Sequence, residues 1–357
     1  MDRQNFQIGF DNCRYEWYIK AMRDKTERKR LSILRVLNES GRPLGSSRIT
    51  EQLQSMGHEV SERTVRYYLF QMDREGLTQN LGKRGRMITE KGHGELDHAR
   101  VIEKVGFLAA KIDQMTYRMS FDLKSRSGTV VINVSLVPRE DLLGTVPLMC
   151  RVFEAGYSMG NLIGLFQPGD KLGDMVVPAG MAGIGTVCSI TLNGVLLAHG
   201  IPTTSRFGGL LELIDKKPSR MVEIITYEGT SLDPLEIFIK SGMTDYSGAT
   251  SIGTGRIGVG FREFPADSRD RVIDLAEKLS EAGLGGFMSI GWPGQPLLEI
   301  PVSEGRVGAI VIGGLNPIAI LEERSVPVQS KALATIVDFD CLFPFYELER
   351  RVKETFL

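Results

Sequence analysis

Three groups of residues in this chain have the types and spacing to do chemistry. The first is Ser61, Arg63, Thr64, Arg66 and Tyr67, followed by Lys83, Arg84 and Arg86. Cationic side chains pair with phosphates, arginine bonds guanine through two parallel hydrogen bonds, and threonine meets base edges with a hydroxyl or a methyl. The second is Thr203-Thr204-Ser205-Arg206 before Gly208-Gly209. Hydroxyls, free backbone amides at a glycine turn and a guanidinium fork suit a carboxylate. The third is scattered: Cys188, Asn193, Arg262 and Asn316. Each of these has a plain structural alternative. Cys188 is a small core residue or lines a cleft, the two asparagines cap helices or face a ligand, and Arg206 binds a ligand or forms a subunit salt bridge.

Other motifs fail in context. Gly253-Thr254-Gly255-Arg256-Ile257-Gly258 fits the spacing of a dinucleotide loop, but a strand-like VGFREFP follows it where a helix is required. GLFQPGDK at 164–171 approaches a phosphate loop until Leu172 stands where a Ser or Thr is needed. HExxH is absent, the four histidines are dispersed, and Cys13, Cys150, Cys188 and Cys341 are far apart. No metal, cofactor or enzymatic activity is therefore expected, and a reducing cytoplasm suits the cysteines.

The first group needs a scaffold, and the local pattern supplies one. Leu31, Leu34 and Leu37 form one helical stripe, Ile49, Leu53 and Met56 a second, and Val65, Leu69 and Met72 a third. Ser46 or Ser47 is expected to cap the second helix and Ser61 the third. Gly76 stops the third helix. Leu77–Leu81 and Arg86–Thr89 then pair around a basic tip. This is a winged helix-turn-helix over 27–92, with its third helix and tip facing nucleic acid. A protein-contact role, with Tyr67 and Tyr68 in a dimer seam, is the alternative.

Charge agrees with this division. Residues 20–100 carry a balance of +6, residues 1–19 of −1 and residues 101–357 of −6. A basic head on an acidic body suits a binding module joined to a sensor or an oligomerisation domain. Hydrophobic content of 42% is enough to bury a core, and no apolar run is long enough to span a membrane. An aromatic extension, 1–26, precedes the head; it is either docked on a neighbour or a tail. A helical linker is expected over 93–115.

The body contains a repeat. Glu154-Ala155-Gly156, Pro168-Gly169, Gly185 and Leu192-Asn193 return in order as Glu281-Ala282-Gly283, Pro293-Gly294, Gly308 and Leu315-Asn316. Each copy reads strand, helix, strand, strand and a short helix, the third strand (Gly185–Leu192; Val307–Leu315) preceding or containing the Leu-Asn pair. The expected fold is α/β (α+β): a winged helix followed by an α/β-plait effector domain, 116–325, of two similar halves, 116–215 and 220–325. A C-terminal segment, 326–357, completes the fold or an interface.

Long runs carry a family resemblance. PLGSSRITEQLQSMGHEVSERTVRYYLFQMDREGLTQNLGKRGRMITEKG resembles the winged helix of the archaeal nitrogen-regulation repressors. GIGTVCSITLNGVLLAHGIPTTSRFGGLLEL, FREFPA and VGAIVIGGLNPIAILEE are similar to that family's effector domain. The resemblance implies a repressor of nitrogen-assimilation genes, homodimeric or larger, that binds palindromic operator DNA and is released by 2-oxoglutarate. Some members carry two effector domains in tandem where this chain has one. The residues expected at the effector site are Cys188, Asn193, Thr204, Ser205, Arg206, Arg262 and Asn316, chosen for their chemistry. The competing classes are a metabolite-binding α/β enzyme with an autoregulatory head and an RNA-binding adaptor.

Overall fold

A computed structural model describes residues 29–56, 58, 60–103, 107–173 and 175–356. The 1–26 extension lies outside the described residues. The chain divides into two compact units, 1–103 and 104–357.

In the first unit, α1 (29–40), α2 (Ser46–Ser55) and α3 (Glu62–Glu75) enclose one apolar cluster. Leu31, Leu34, Leu37, Ile49, Leu53, Val65, Leu69 and Met72 are all buried in it. Met56, expected on the same stripe, is exposed, because α2 ends at Ser55 and Met56 is its C-terminal cap. Ser61 caps α3 as expected, its hydroxyl accepting from the Thr64 amide at 3.2 Å. Ser46 and Ser47 do not cap α2; Gly45 holds that position. The wing pairs β1 (Thr78–Asn80) with β2 (Arg86–Ile88) across the tight turn Gly82–Arg84. It docks on the head through reciprocal bonds between the Leu44 and Arg86 backbones, 2.9 and 2.8 Å. That approach requires Gly85. Its φ is +101°, and a Cβ there would stand 2.4 Å from the Leu44 carbonyl carbon. The helix α4 (Glu90–Glu103) follows.

The second unit opens with α5 (Phe107–Arg118). So the expected linker is two helices, one in each unit. The first half then runs β3 (Thr129–Pro138), α6 (Arg139–Glu154), β4 (Leu162–Phe166), a small ribbon β5 (Lys171–Leu172) and β6 (Met175–Val176), β7 (Met181–Val187) and α7 (Ile190–Ala198). A hairpin of β8 (Thr204–Ile214) and β9 (Lys217–Thr226) follows, then the short helices α8 (Pro234–Lys240) and α9 (Tyr246–Ser251). The second half repeats the pattern as β10 (Gly255–Pro265), α10 (Arg269–Glu281), β11 (Phe287–Ile290), β12 (Arg306–Ile312) and α11 (Asn316–Glu323). The chain closes with β13 (Gln329–Asp338), β14 (Phe343–Pro344) and α12 (Leu348–Phe356).

Two antiparallel sheets result, ordered β13-β3-β7-β4-β14 and β11-β12-β10-β8-β9. The strand after α7, β8, lies beside β10 in the second half's sheet. The strand after α11, β13, lies beside β3 in the first half's sheet. The halves therefore exchange their last strands. The boundary expected near 215–220 does not separate the sheets, and 326–344 completes the first one. The exchange also corrects two readings. The segment after α7, taken in sequence for a ligand-binding loop, is a strand whose counterpart in the second half is β13. Gly208-Gly209 is not a turn; it lies within β8, where missing side chains admit Pro234, Leu235 and Met221.

The Leu-Asn pairs also move. Asn193 lies in the first turns of α7, and Asn316 begins α11. Residues 190–196 are buried on every side, and such a run does not distinguish a strand from a buried helix by periodicity. The cores of the halves are shared. Val131, Ile184, Val259, Phe261 and Ile318 belong to one cluster, and α6 packs on α11. No helix among the described residues is long and apolar enough to cross a membrane.

Candidate functional site

On the head, one face of α3 presents Arg63, Arg66, Tyr67, Phe70 and Arg74 to solvent. Tyr67 and Phe70 are each 58% exposed. Arg66 is held in place: its Nε donates to the Ser46 hydroxyl at 3.2 Å and a terminal nitrogen to Glu62 at 2.6 Å. Glu62 also accepts from the Ser46 and Ser47 hydroxyls at 2.8 and 2.9 Å. The Ser46 bond, then those from Arg66 and Ser47, hold the Glu62 carboxyl below its ordinary pKa. The two serines thus lock α2 to α3 through Glu62, which the sequence reasoning did not single out. Arg42 and Arg48, likewise passed over, are exposed beside a groove at the start of α2. The sequence, which offers Ser46 and Ser47 as caps there, carries no local signal for them.

The basic tip splits in two. Lys83 and Arg84 are exposed on the turn. Arg86 turns inward: its Nε donates to Asp73 at 2.9 Å, and each side chain is only 20% exposed. Asp73 also accepts from the Thr78 hydroxyl at 2.6 Å. Arg86 fastens the wing to α3. Arg86→Ala is expected to lower head stability by about 1 kcal/mol, measured by thermal unfolding. It should leave the salt dependence of nucleic-acid binding unchanged; a flattened dependence would return Arg86 to the interface.

In the body, matching registers place Gly185 opposite Val134 and Gly308 opposite Glu263. Asn133 and Arg262 are therefore equivalent positions of the two halves. Arg262 is 1% exposed, heading the fully buried side chains by size among the described residues. Its guanidinium donates to Asn193 Oδ1 at 3.2 Å, Ser189 Oγ at 3.0 Å and the Phe261 carbonyl at 3.2 Å, all uncharged. It also lies 5.5 Å from the Tyr227 ring centre. Asn193 in turn donates to Ser205 at 2.9 Å. A buried cation with neutral hydrogen-bond partners is costly unless an anion completes it.

Beside it lies a cavity of about 20 Å³. The first half contributes Asn133, Cys188 and Ser189, and the second Gly260, Gly313, Gly314 and Leu315. Tyr227, Asp233, Leu235 and Ala332 complete the wall. Ser189 and Leu315 are the N-terminal caps of α7 and α11, so two helix starts border the same space, where their dipoles favour negative charge. Burial pushes the Cys188 thiol up to about 11 and the Tyr227 hydroxyl up to about 12. Both are neutral at physiological pH, so Cys188 lines the space without being a thiolate nucleophile. Burial and then the neighbouring Glu236 push Asp233 up to about 6.

The expected effector residues therefore separate. Cys188, Asn193, Ser205 and Arg262 meet at this junction. Asn316 is committed to the backbone, bonding the carbonyls of Tyr157 and Gly258, both at 2.9 Å, with its Oδ1 beside Gly313. Thr204 and Arg206 belong elsewhere. Arg206 pairs with the buried Glu263 at 2.8 Å, and Thr204 accepts from Arg306 at 3.0 Å. That cluster holds its own carboxylate, and neither a free ligand nor a subunit bridge is needed to explain Arg206. Asn133, Ser189, Tyr227, Asp233 and the Gly313-Gly314 pair were missed. Of these, only the glycine pair before Leu315-Asn316 carried a local signal.

Gly314 shows how closely the halves meet. A Cβ there would stand 2.3 Å from the Val187 carbonyl oxygen and 2.4 Å from Asn133 Nδ2. Gly314→Ala must part the halves, and is expected to lower the body's melting temperature by roughly 3–10 °C. Calorimetry checks this; an unchanged transition would show slack at the junction.

Comparison with known proteins places both units. The family described as NrpR regulatory domains NRD1 and 2 matches residues 105–343, and the Ribonuclease R winged-helix domain matches residues 31–96. A global nitrogen regulator NrpRI of Methanosarcina mazei is 33% identical over 321 residues, 90% of this chain and 99% of that protein. Global nitrogen regulators NrpR of Methanocaldococcus jannaschii and Methanococcus maripaludis are 32% and 29% identical, over 88% and 87% of this chain. This chain spans about half of their length, 55% and 54%. The crystal structure of a nitrogen repressor-like protein from Methanococcus jannaschii aligns with a TM-score of 0.57 at 25% identity, over 66% of this chain and 97% of that one. With regulatory domains matched over two thirds of its length and a relative covered almost end to end, the chain belongs to the NrpR family of global nitrogen regulators.

Proposed function

We propose that the chain is a transcriptional repressor of nitrogen-assimilation genes. As a homodimer or larger oligomer it binds palindromic operator DNA through α3 and the wing tip. 2-Oxoglutarate releases it by entering the junction beside Arg262. The buried guanidinium of Arg262, bonded only to neutral partners between two helix starts, carries the effector assignment. A carboxylate there gains charge-assisted bonds that water cannot match. The cavity's size supplies the coupling. About 20 Å³ holds one water, not a dicarboxylate, so binding selects a state with the halves further apart. If that state holds the recognition helices at a spacing unlike that of the operator half-sites, effector and DNA exclude each other.

Fluorescence anisotropy of the full chain on DNA from upstream of its own gene, with and without 2-oxoglutarate, tests this. Sequence-selective binding reversed by 2-oxoglutarate is expected. Binding without selectivity would remove the repressor, and binding indifferent to 2-oxoacids would remove the effector. In the same assay Arg66→Ala should weaken operator binding more than random-sequence binding, since Glu62 and Ser46 aim its guanidinium. A second reading, an RNA-binding adaptor, rests on the Ribonuclease R match of the head. Competition by single-stranded RNA at operator-level affinity would favour it.

A further inference from the structure

The cavity's acidic neighbours have no role in the reading above. Asp233 begins α8, and its carboxylate accepts the Leu235 and Glu236 amides at 2.9 and 3.4 Å. It lines the cavity and lies within electrostatic reach of Arg262. One turn on, Glu236 accepts the amide of Ala332, also a wall residue. Ala332 lies in a β-bulge: β13 slips register against β3 between Lys331 and Thr335. Leu333 there has φ of +45°, a strained value for leucine. Its amide donates to Asn133 Oδ1 at 3.1 Å. The bulge thus frees two successive amides from the strand ladder, one held by Glu236 and the other by Asn133. The structure thus has two anion-attracting places at the junction, Arg262 and this bulge. Glu236 of α8 occupies the Ala332 amide, and Asp233 stands in the cavity wall without a bond to Arg262.

We propose that the first turn of α8 is a built-in stand-in for the effector, and that an entering dicarboxylate meets the Asp233 charge at the cavity wall and displaces Glu236 from the Ala332 amide. This rests on the effector reading of the same cavity. It adds that affinity is set by an internal competitor and that α8 moves when the site fills. The competition has a proton signature. The charged and titratable groups around Asp233 and Glu236 are Arg262 on β10, Tyr227, Cys188, Lys111 on α5, Lys331 on β13, and Lys240 on α8 itself, with Glu322 of α11 beside Glu236. A dianion entering among them raises the Asp233 pKa beyond its ligand-free value of about 6. Binding then takes up protons above pH 6, and affinity falls as pH rises from 6 towards the raised value.

Calorimetry of the full chain with 2-oxoglutarate at pH 7, in phosphate and in Tris, reads both effects. The wild type should take up protons. Asp233→Asn keeps the helix cap but removes the charge; it should tighten binding by about tenfold and abolish proton uptake. Glu236→Gln should tighten binding with uptake retained, and carries the test if Asp233→Asn does not fold. Unchanged or weaker binding in both variants, with uptake as in the wild type, overturns the stand-in while leaving the effector site intact. If neither wild type nor variants bind 2-oxoglutarate, the effector reading fails, and the displaced competitor with it.

Discussion

Arg262→Met should leave the chain folded and able to bind DNA, but deaf to 2-oxoglutarate. Methionine fills the space of the arginine stem, so the buried volume changes little. The loss of two side-chain hydrogen bonds leaves Asn193 and Ser189 short of a donor, at about 1–3 kcal/mol. Removing a buried charge that no carboxylate completes offsets part of that cost. The effector loses its cationic partner outright, for which a fall in affinity of about 100-fold or more is expected. Calorimetry and the anisotropy assay check both halves of the statement. An effector response within a few-fold of wild type would place the ligand elsewhere. A second signature is independent of ligand. Arg262 holds down the pKa of Tyr227, Cys188 and Asp233, so its loss should drive Asp233 further above 6, read by carbon-detected titration.

Lys83→Ala combined with Arg84→Ala should weaken DNA binding about tenfold or more at low salt and reduce the salt slope by about two. Both cations stand exposed on a turn held between Gly82 and Gly85, and the Gly82 amide is anchored to Asn80 at 2.9 Å. The tip is therefore shaped before DNA arrives, and its charges are free to exchange counterions for phosphates. Losses should be alike on operator and random DNA, since phosphate contacts carry no base information. A loss confined to the operator would mean the tip reads bases. No loss at all would leave the head to protein contacts, for which the exposed Tyr67 and Phe70 would be the surface.

How much of this was legible depended on how local the cause was. The stripe Val65, Leu69, Met72 and the cap at Ser61 lie within one helix, where 3.6-residue periodicity and cap chemistry act directly. The repeat was visible because both halves use the same turn and close-approach residues. Asn193, Ser205 and Arg262 were chosen separately for chemistry, and the structure joins them in one chain of bonds. Arg86 and Arg206 were chosen on the same grounds, and the structure gives each an internal partner, Asp73 and Glu263, from 13 and 57 residues away. Residue type states what a side chain can bind; it does not say which partner arrives first.

The sequence by itself determined a basic winged helix, an acidic body of two α/β halves and the residue types available to a carboxylate. These follow from periodicity, charge and repetition, all read along the chain. The tertiary structure alone decided that β8 and β13 change sheets, that Arg262 is buried beside Ser189 and Tyr227, and that Asp233 and Glu236 stand against the same junction. Each of those outcomes joins segments far apart in the chain, up to the 200 residues between Asn133 and Leu333. Closing such distances is opposed by chain entropy and favoured only when the whole core forms, so no local pattern encodes it.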